Sequence, residues 1–324
     1  MVSATTPTEF LVDTIVHLLI GVQRQIEKDL KNSPQRYLEK KLTPSTSKLA
    51  LSVDSDAENS FARKLADAER KVGKIKFYGE ESLSSDALDL SGRKGLVALA
   101  DIVDGTDLLE RGMGNWCSAI TIYAPTNPRG SRIRASFIAL PPNGSKVYVA
   151  RDDQSEVHVR LDDGYKRVAG PSSVKRLADA SICFYGQKTE NLLESVGRLS
   201  RLRRKSLKNL RIYNLAGMPM MAKLVDHWIS NASGIDAVFD VKGQQPHDVV
   251  PGLYMAKKAG CTVRDLEGND LSFEALEDAL LKPSSSRIAY VAASTPELCD
   301  ELLDALQPYK AEGDTGELPF SSTV

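Results

Sequence analysis

Near the start of the chain, apolar residues recur at every third or fourth position, as they do on one face of a helix. They are Phe10, Leu11, Ile15, Leu18, Leu19, Val22 and Ile26. The preceding Thr6-Pro7-Thr8-Glu9 is typical of a capping box with proline at the first helical position. The pattern predicts a second helix over Glu58 to Lys71 and a short strand over Ile75 to Tyr78 that ends at Gly79.

The pattern changes to strands after Gly95, where apolar runs alternate with clusters of Pro, Gly and Asn. The predicted strands are Leu96 to Val103, Ala119 to Tyr123, Ile133 to Leu140 and Lys146 to Arg151. Together they predict a largely antiparallel sheet in the first half of the chain.

Strands and helices alternate after about Gly170. The predicted segments are Ser181 to Tyr185, Leu192 to Leu202, Leu210 to Leu215, Met218 to Ser230, Ala237 to Val241, Val249 to Ala259, Ile288 to Ala292 and Glu297 to Gln307. This organisation predicts an α/β protein whose N-terminal half is α+β. We expect an N-terminal domain over residues 1–170, a C-terminal α/β domain over 171–310, and a loosely ordered tail over 311–324.

Composition narrows the class of protein. Of the 324 residues, 42% are hydrophobic and 26% are charged, as in a soluble globular protein. The net charge of -1 predicts no strong attraction to nucleic acid or to an acidic membrane. Four cysteines without a Cys-x-x-Cys pair favour buried, reduced thiols over a zinc knuckle. No apolar run is long enough to span a membrane and no basic-then-apolar leader opens the chain, so we expect a cytoplasmic protein.

Acidic residues follow directly on predicted buried strands. The aliphatic run from Leu96 ends in Asp101-Ile102-Val103-Asp104-Gly105-Thr106, and the strand before it ends in Gly79-Glu80-Glu81. A later acid, Asp248, opens a predicted helix. Each alone could be a turn residue, a solvated acid or a helix N-cap. Together they are costly to bury unless something neutralises them.

The charge and chemistry of this cluster indicate bound cations. Two carboxylates ~4 Å apart repel by ~4 kcal/mol at an effective dielectric constant near 20. Oxygen-only ligands favour Mg²⁺, with Mn²⁺ possible, over Zn²⁺. The backbone N–H groups at Gly105 and Thr106 would suit the oxygens of a phosphate.

These motifs, in this order, resemble the inositol monophosphatase superfamily, which includes fructose bisphosphatase and the nucleotide phosphatases. Gly-Glu-Glu-Ser at Gly79 is followed by Asp-Ile-Val-Asp-Gly-Thr at Asp101 and by Asp248 before Val-Val-Pro-Gly, and the likeness covers Leu51 to Leu306. The resemblance implies a layered αβαβα sandwich with metals between its halves. It also implies hydrolysis of a small phosphorylated metabolite with two or three Mg²⁺ ions, inhibition by lithium, and a homodimer.

The resemblance also implies roles for individual residues. The metal ligands, some shared between two ions, would be Glu80, Asp101, the Ile102 carbonyl, Asp104 and Asp248. Thr106, paired with Asp54, would orient a metal-activated water that attacks the phosphorus directly, with no covalent phosphoenzyme. Asp56 is an alternative partner for Thr106, and either acid could instead cap the helix near Glu58.

Three segments depart from the pattern of the superfamily. His247 stands where the family usually has Trp, and could be a metal ligand, a structural residue or an outer partner of the ligands. Ala216-Gly217 replaces a Gly-Ser pair that contacts substrate. Asp240 lies near the position of a substrate-binding acid but one residue farther from Asp248, and it could instead be an exposed acid at a strand end.

Two other interpretations remain. Asp-x-Asp-Gly-Thr of the aspartyl-phosphate phosphatases differs from this sequence by one residue, which would reverse a side chain along a strand and separate that family's catalytic pair. A non-catalytic anion-binding or scaffold protein is suggested by a basic run. Its members are Arg198, Arg201, Arg203, Arg204, Lys205, Lys208 and Arg211.

Overall fold

The structure of the chain is a computed structural model. It describes residues 7–42, 49–82, 88–127, 131–141, 146–161, 164, 166–186, 188–200, 202, 207, 209–215, 217–227, 234–283 and 286–307. The helices are α1 (Pro7–Asn32), α2 (Pro34–Tyr37), α3 (Ser52–Val72), α4 (Thr106–Glu110), α5 (Thr189–Leu199), α6 (Met218–Val225), α7 (Pro246–Lys258), α8 (Phe273–Ala279) and α9 (Pro296–Leu306). The predicted tail lies outside the described residues.

Strands form two large sheets and one short hairpin-like pair. The strands are β1 (Lys40–Leu42), β2 (Leu49–Leu51), β3 (Ile75–Gly79), β4 (Leu96–Asp104), β5 (Cys117–Tyr123), β6 (Ile133–Leu140), β7 (Lys146–Arg151), β8 (Val157–Leu161), β9 (Lys166–Ala169), β10 (Ser181–Phe184), β11 (Arg211–Tyr213), β12 (Ala237–Gln244), β13 (Thr262–Arg264) and β14 (Ile288–Ala293). The pair is β1 with β2.

The first large sheet has the strand order β3-β4-β5-β6-β7-β8-β9. β3 pairs with β4 in parallel, and all the later neighbours pair antiparallel, which confirms the largely antiparallel sheet. Two strands, β8 and β9, were not predicted. β9 is the edge strand and reads Lys-Arg-Val-Ala, with the Val168 side chain exposed, so its sequence shows no buried face.

The second sheet has the order β11-β10-β12-β14-β13 and mixes parallel with antiparallel pairs. Helices alternate with its strands, as the α/β pattern predicts. α1 and α3 cover the outer face of the first sheet, α6 and α7 pack against both sheets, and α5 and α9 cover the second. The αβαβα sandwich is therefore confirmed, whereas the division into domains near residue 170 stays a prediction.

Two helix boundaries differ from the prediction by five or six residues, and the other predicted helices differ by three or fewer. α3 begins at Ser52, six residues before Glu58, because the Asp54 carboxylate accepts a hydrogen bond from Leu51 N (3.2 Å) and closes an earlier first turn. α6 ends at Val225 rather than Ser230, because the backbone of Asp226 leaves the helical region and its carboxylate turns inward to the Tyr148 hydroxyl (2.7 Å).

α7 is buried nearly all round: ten of its thirteen residues are buried, so it lies inside the protein rather than on its surface. Because it lies between the sheets, its first turn faces the carboxyl-terminal end of β4. All four cysteines are buried and unpaired, as predicted. Within the described part of the chain, no helix has the length and apolar character needed to cross a membrane.

Candidate active site

A β-bulge in β4 brings the two aspartates of the central motif together. Asp101 pairs with Ala119 and Asp104 with Cys117, so three steps along β4 match two along β5. The extra residue turns Asp104 back toward the side of Asp101. A spacing of two intervening residues therefore does not separate two acids here, and the spacing argument against the aspartyl-phosphate phosphatases is wrong for this strand.

Asp101 and Asp104 lie in an environment that disfavours their charge. Burial, with the charges of Glu80, Asp104 and Asp248 close by, raises the pKa of Asp101 well above its ordinary value. Burial and the charges of Asp248 and Glu80 raise the pKa of Asp104 to about 7, against a hydrogen bond from Met218 N (2.9 Å) that favours the carboxylate. Without a cation, this group of acids is held together at a cost in free energy.

Asp104 also contacts the first turn of α6. Its carboxylate accepts the hydrogen bond from Met218 N, directly after Gly217. Gly217 adopts a positive φ of 134°, which other residues rarely adopt. The predicted substrate contact at Gly217 therefore lies beside a predicted metal ligand. Its neighbour Ala216, also predicted to contact substrate, lies outside the described residues.

Glu80 lies in a single turn of 3₁₀ helix after β3, over Glu80–Ser82. The buried side chain of Glu58, on α3, supports this turn by accepting a hydrogen bond from Glu81 N (2.9 Å). Burial, with the charges of Glu81, Glu80 and Asp54, raises the pKa of Glu58 to about 8. Glu58 had no predicted role, although it lies four residues from Asp54 and thus on the same face of α3.

Gly79 makes room for Glu58. A Cβ atom at residue 79 would overlap the Glu58 carboxylate. We expect Gly79→Ala to displace Glu58, release the Glu80 turn and weaken metal binding ~10–100-fold, the usual cost of losing a partner outside the ligand shell. Titration of Mn²⁺ into the metal-free protein measures this affinity.

The matched control for that measurement is Gly197→Ala. Gly197 is exposed on α5, and an added Cβ there meets no atom within 4 Å. It should leave the metal affinity unchanged. Equal affinities in the wild type and Gly79→Ala would show that the Glu58 contact does not position Glu80.

Asp54 and Thr106 meet across the site. The Thr106 hydroxyl oxygen lies 3.0 Å from Asp54 Oδ1 and 2.8 Å from the Val103 carbonyl oxygen. Burial and the charges of Glu80 and Glu81 raise the pKa of Asp54 to about 7, although its bond to Thr106 favours the ionised form. Asp56, the alternative partner, is exposed on α3 and makes no such contact. Asp54 can therefore exchange a proton near neutral pH.

Gly105 begins the short helix α4. Its φ is 93°, and a Cβ there would come within 2.8 Å of the Asn115 carbonyl oxygen, so glycine is required on both counts. The Ile102 carbonyl, a predicted ligand, accepts a hydrogen bond from the Ser118 hydroxyl (2.7 Å). A carbonyl oxygen has a second lone pair, so this contact leaves Ile102 able to bind a cation.

Asp248 and His247 reach the site from the first turn of α7. Pro246 occupies the first helical position, and the acid in that turn is favoured by the helix dipole. His247 Nε2 lies 3.0 Å from Asp248 Oδ1. One ligand atom each from Glu80, His247 and Asp248 lies within 4.8 Å of the other two, so the three could hold one metal ion.

Asp240 holds a turn within its own strand, β12. It is fully buried, and its carboxylate accepts hydrogen bonds from Lys242 N, Gly243 N and Gln244 Nε2 at 2.9, 2.9 and 2.8 Å. The interpretation of Asp240 as an exposed acid is wrong. Its burial also argues against the predicted contact with substrate, because the carboxylate is used to hold its own turn.

A cavity of about 410 Å³ opens beside Glu80 and Asp248. Lys188, Lys242 and Arg287 contribute positive charge to its lining, and Glu190 contributes a negative charge besides those of Glu80 and Asp248. Lys242 is partly neutralised by Glu194, whose Oε2 lies 3.1 Å from its Nζ. These cations come from three separate elements, so no local motif in the sequence could have identified them. The cavity offers space for an anionic molecule next to the acids.

The described members of the basic run around α5 do not line this cavity. Within the described residues the run includes Arg198 and Arg211. Arg198 pairs with Glu194 (2.8 Å) and donates to the Leu306 carbonyl (3.2 Å), so its charge is used within the protein. The other five members lie outside the described residues.

Solved structures share this architecture. SuhB from Bartonella henselae is 18% identical with a TM-score of 0.65, over 92% of this chain and 98% of that one. The chain has the inositol monophosphatase fold. The inositol monophosphate bound SaIMPase-II has the same fold (16% identical, TM-score 0.60, 91% and 93% covered). So does the Ca bound IMPase family protein from Staphylococcus aureus (16%, 0.61, 95% and 97%).

No protein-family model and no curated protein matches the sequence. Identities of 16–18% establish the inositol monophosphatase fold but not the activity. The fold predicted from the resemblance is therefore confirmed.

Proposed function

We propose that the chain is a divalent-metal-dependent phosphomonoesterase acting on a small phosphorylated metabolite. The observation that carries the proposal is the convergence of Glu80, Asp101, Asp104 and Asp248 from three elements on one site, where two of the aspartates have raised pKa values. Bound cations would favour the ionised form of such a group of carboxylates, and the group lies in a fold shared with IMPase family proteins.

The residues present fit Mg²⁺ or Mn²⁺. Carboxylate oxygens are the ligands these ions prefer, and Glu80, Asp101, Asp104 and Asp248 would hold them, with the Ile102 carbonyl. When bound, the ions would neutralise the phosphate charge and lower the pKa of a bound water. The number of ions, lithium inhibition and a homodimer stay predictions by analogy with the superfamily.

Asp54 and Thr106 would move the proton. The hydroxyl of Thr106 has one hydrogen, so it can donate to only one of Asp54 and Val103 at a time while its lone pairs accept from an incoming water. A carboxylate with a pKa near neutrality is suited to take up that proton. Gly105 and the first turn of α4 would bind the phosphate oxygens, and no covalent phosphoenzyme is needed.

An inositol monophosphate-like substrate is the first candidate, since SaIMPase-II with the same fold binds inositol monophosphate. The three cations of the neighbouring cavity favour a second one, a substrate with another anionic group. Fructose 1,6-bisphosphate and 3′-phosphoadenosine 5′-phosphate are of that kind.

The test is phosphate release from inositol phosphates, fructose 1,6-bisphosphate, other sugar phosphates and 3′-phosphoadenosine 5′-phosphate, with and without Mg²⁺ or Mn²⁺. We expect release only with metal. A lower KM for the doubly anionic esters than for inositol monophosphate would favour the second candidate. Stoichiometric metal binding without release from any of these esters would contradict the proposed activity and favour a scaffold protein.

A further inference from the structure

The cluster of Glu80, His247 and Asp248 includes a nitrogen donor. All other predicted ligands are oxygens, and the sequence pattern favoured an oxygen-only site. In the structure, one ring nitrogen of His247 and one oxygen from each acid fall within 4.8 Å of one another, and Nε2 lies 3.0 Å from Asp248 Oδ1. A contact with Asp248 alone would not require the imidazole to lie near Glu80 as well.

The distance of 3.0 Å between His247 Nε2 and Asp248 Oδ1 fits two neighbouring ligands of one ion. Ligands ~2.1 Å from a metal and 90° apart are separated by ~2.1 × √2, or ~3.0 Å. The three donors come from two rigid elements, the turn after β3 and the first turn of α7. Their arrangement therefore needs no rearrangement of the backbone to enclose a cation.

Burial fixes the imidazole in this position. His247 is only 3% exposed, and α7 around it is buried on nearly all sides. Its ring is therefore held toward the carboxylates instead of toward water. Imidazole suits first-row transition ions such as Zn²⁺, Fe²⁺ and Ni²⁺, whereas Mg²⁺ and, to a lesser degree, Mn²⁺ prefer oxygen.

We propose that His247 contributes an imidazole nitrogen to one of the metal ions, so that a divalent transition metal binds there in preference to Mg²⁺. This rests on the proposed function only in that it concerns the same metal site.

The experiment loads the full chain with Mn²⁺ and records electron spin-echo envelope modulation. We expect ¹⁴N modulation from a directly bound imidazole, lost in His247→Asn and retained in His17→Asn, whose histidine is exposed on α1. Labelling the wild type with ¹⁵N-histidine should replace the ¹⁴N pattern, a test that does not depend on the folding of a variant. Competition should show the preference for Mn²⁺ over Mg²⁺ reduced at least ~10-fold in His247→Asn.

The outcomes separate this inference from the proposed activity. Stoichiometric Mn²⁺ binding without imidazole modulation in the wild type would overturn it and make His247 an outer hydrogen-bond partner of Asp248, even if phosphate is released. Imidazole modulation lost in His247→Asn supports it even if no ester is hydrolysed. Failure of the wild type to bind Mn²⁺ would overturn this inference alone, because the proposed activity is equally served by Mg²⁺.

Discussion

Asp101→Asn should abolish metal-dependent phosphate release and at the same time stabilise the metal-free protein. Asp101 is 6% exposed, at the centre of the acids. Its Oδ1 accepts a hydrogen bond from Val103 N (3.0 Å), which an asparagine oxygen can also accept, so the local structure is kept. We expect kcat/KM to fall at least ~10³-fold, equivalent to ~4 kcal/mol of lost transition-state stabilisation.

The gain in stability has an electrostatic cause. An acid with a raised pKa in the folded state costs ~1.4 kcal/mol for each unit of the shift that the pH has passed. The asparagine removes this cost at residue 101 and lowers the charge around Asp104, so in the presence of chelator the variant should be more stable than the wild type at pH 7. Phosphate release and calorimetry in chelator measure the two effects.

The matched control is Asp67→Asn, on an exposed acid in the second half of α3. It should leave both activity and metal-free stability unchanged. Full activity of Asp101→Asn would show that the Asp101 carboxylate is not needed to hold a catalytic metal. A metal-free protein destabilised by Asp101→Asn would show that the acids do not repel one another as the raised pKa values indicate.

The second large effect is a fall in the stability of the metal-free protein as the pH rises from 5 to 8, reversed by divalent metal. Burial raises the pKa values of Asp54 and Asp104 to about 7 and of Glu58 to about 8, and raises that of Asp101 well above its ordinary value. In this window the folded state holds more protons than the unfolded state. The free energy of unfolding therefore decreases as the pH rises, by up to ~1.4 kcal/mol per pH unit for each of these groups.

Other shifted groups oppose this trend little. The lowered pKa values of Glu9 and Glu194 give stability that is already complete above about pH 5, because their unfolded-state value is 4.5. The lowered pKa of His158, caused by burial, adds some stability with rising pH, but only from one group and only up to its unfolded value of 6.5. The acids of the site therefore dominate.

Calorimetry at pH 5, 6.5 and 8, in chelator and in Mg²⁺ or Mn²⁺, tests this. Metal binds the deprotonated acids, so the rise in unfolding temperature on adding metal should be larger at pH 8 than at pH 5. Asp101→Asn should flatten the dependence in chelator. Unfolding temperatures that do not fall from pH 5 to pH 8 in chelator would contradict the raised pKa values.

The fold could be predicted largely because its elements carry their own periodicity. The buried strand β4 and the amphipathic helix α1 can be recognised from the spacing of their apolar residues alone. The edge strand β9 and the three-residue β13 are not, since neither has a buried face long enough to form a pattern. The start of α3 at Ser52 depends on a side-chain contact of Asp54 with the backbone, which spacing does not reveal.

The site was predictable where its residues follow strands or open helices, as Asp101 and Asp248 do. Other parts depend on contacts between elements distant in the sequence. Glu58 supports Glu81 from 23 residues away, and the bulge in β4 depends on its pairing with β5. The position of His247 beside Glu80 could not be inferred without the packing of α7 between the sheets.

The most direct test of the central claim is phosphate release measured against metal occupancy in the full chain. Metal-free protein is titrated with Mn²⁺, and bound metal is followed by electron paramagnetic resonance. Phosphate release is measured at each step with the ester of the panel that is hydrolysed fastest. Release should be absent at zero metal and should rise in parallel with occupancy. Undiminished release in the presence of chelator, with no metal bound, would contradict a metal-dependent phosphatase.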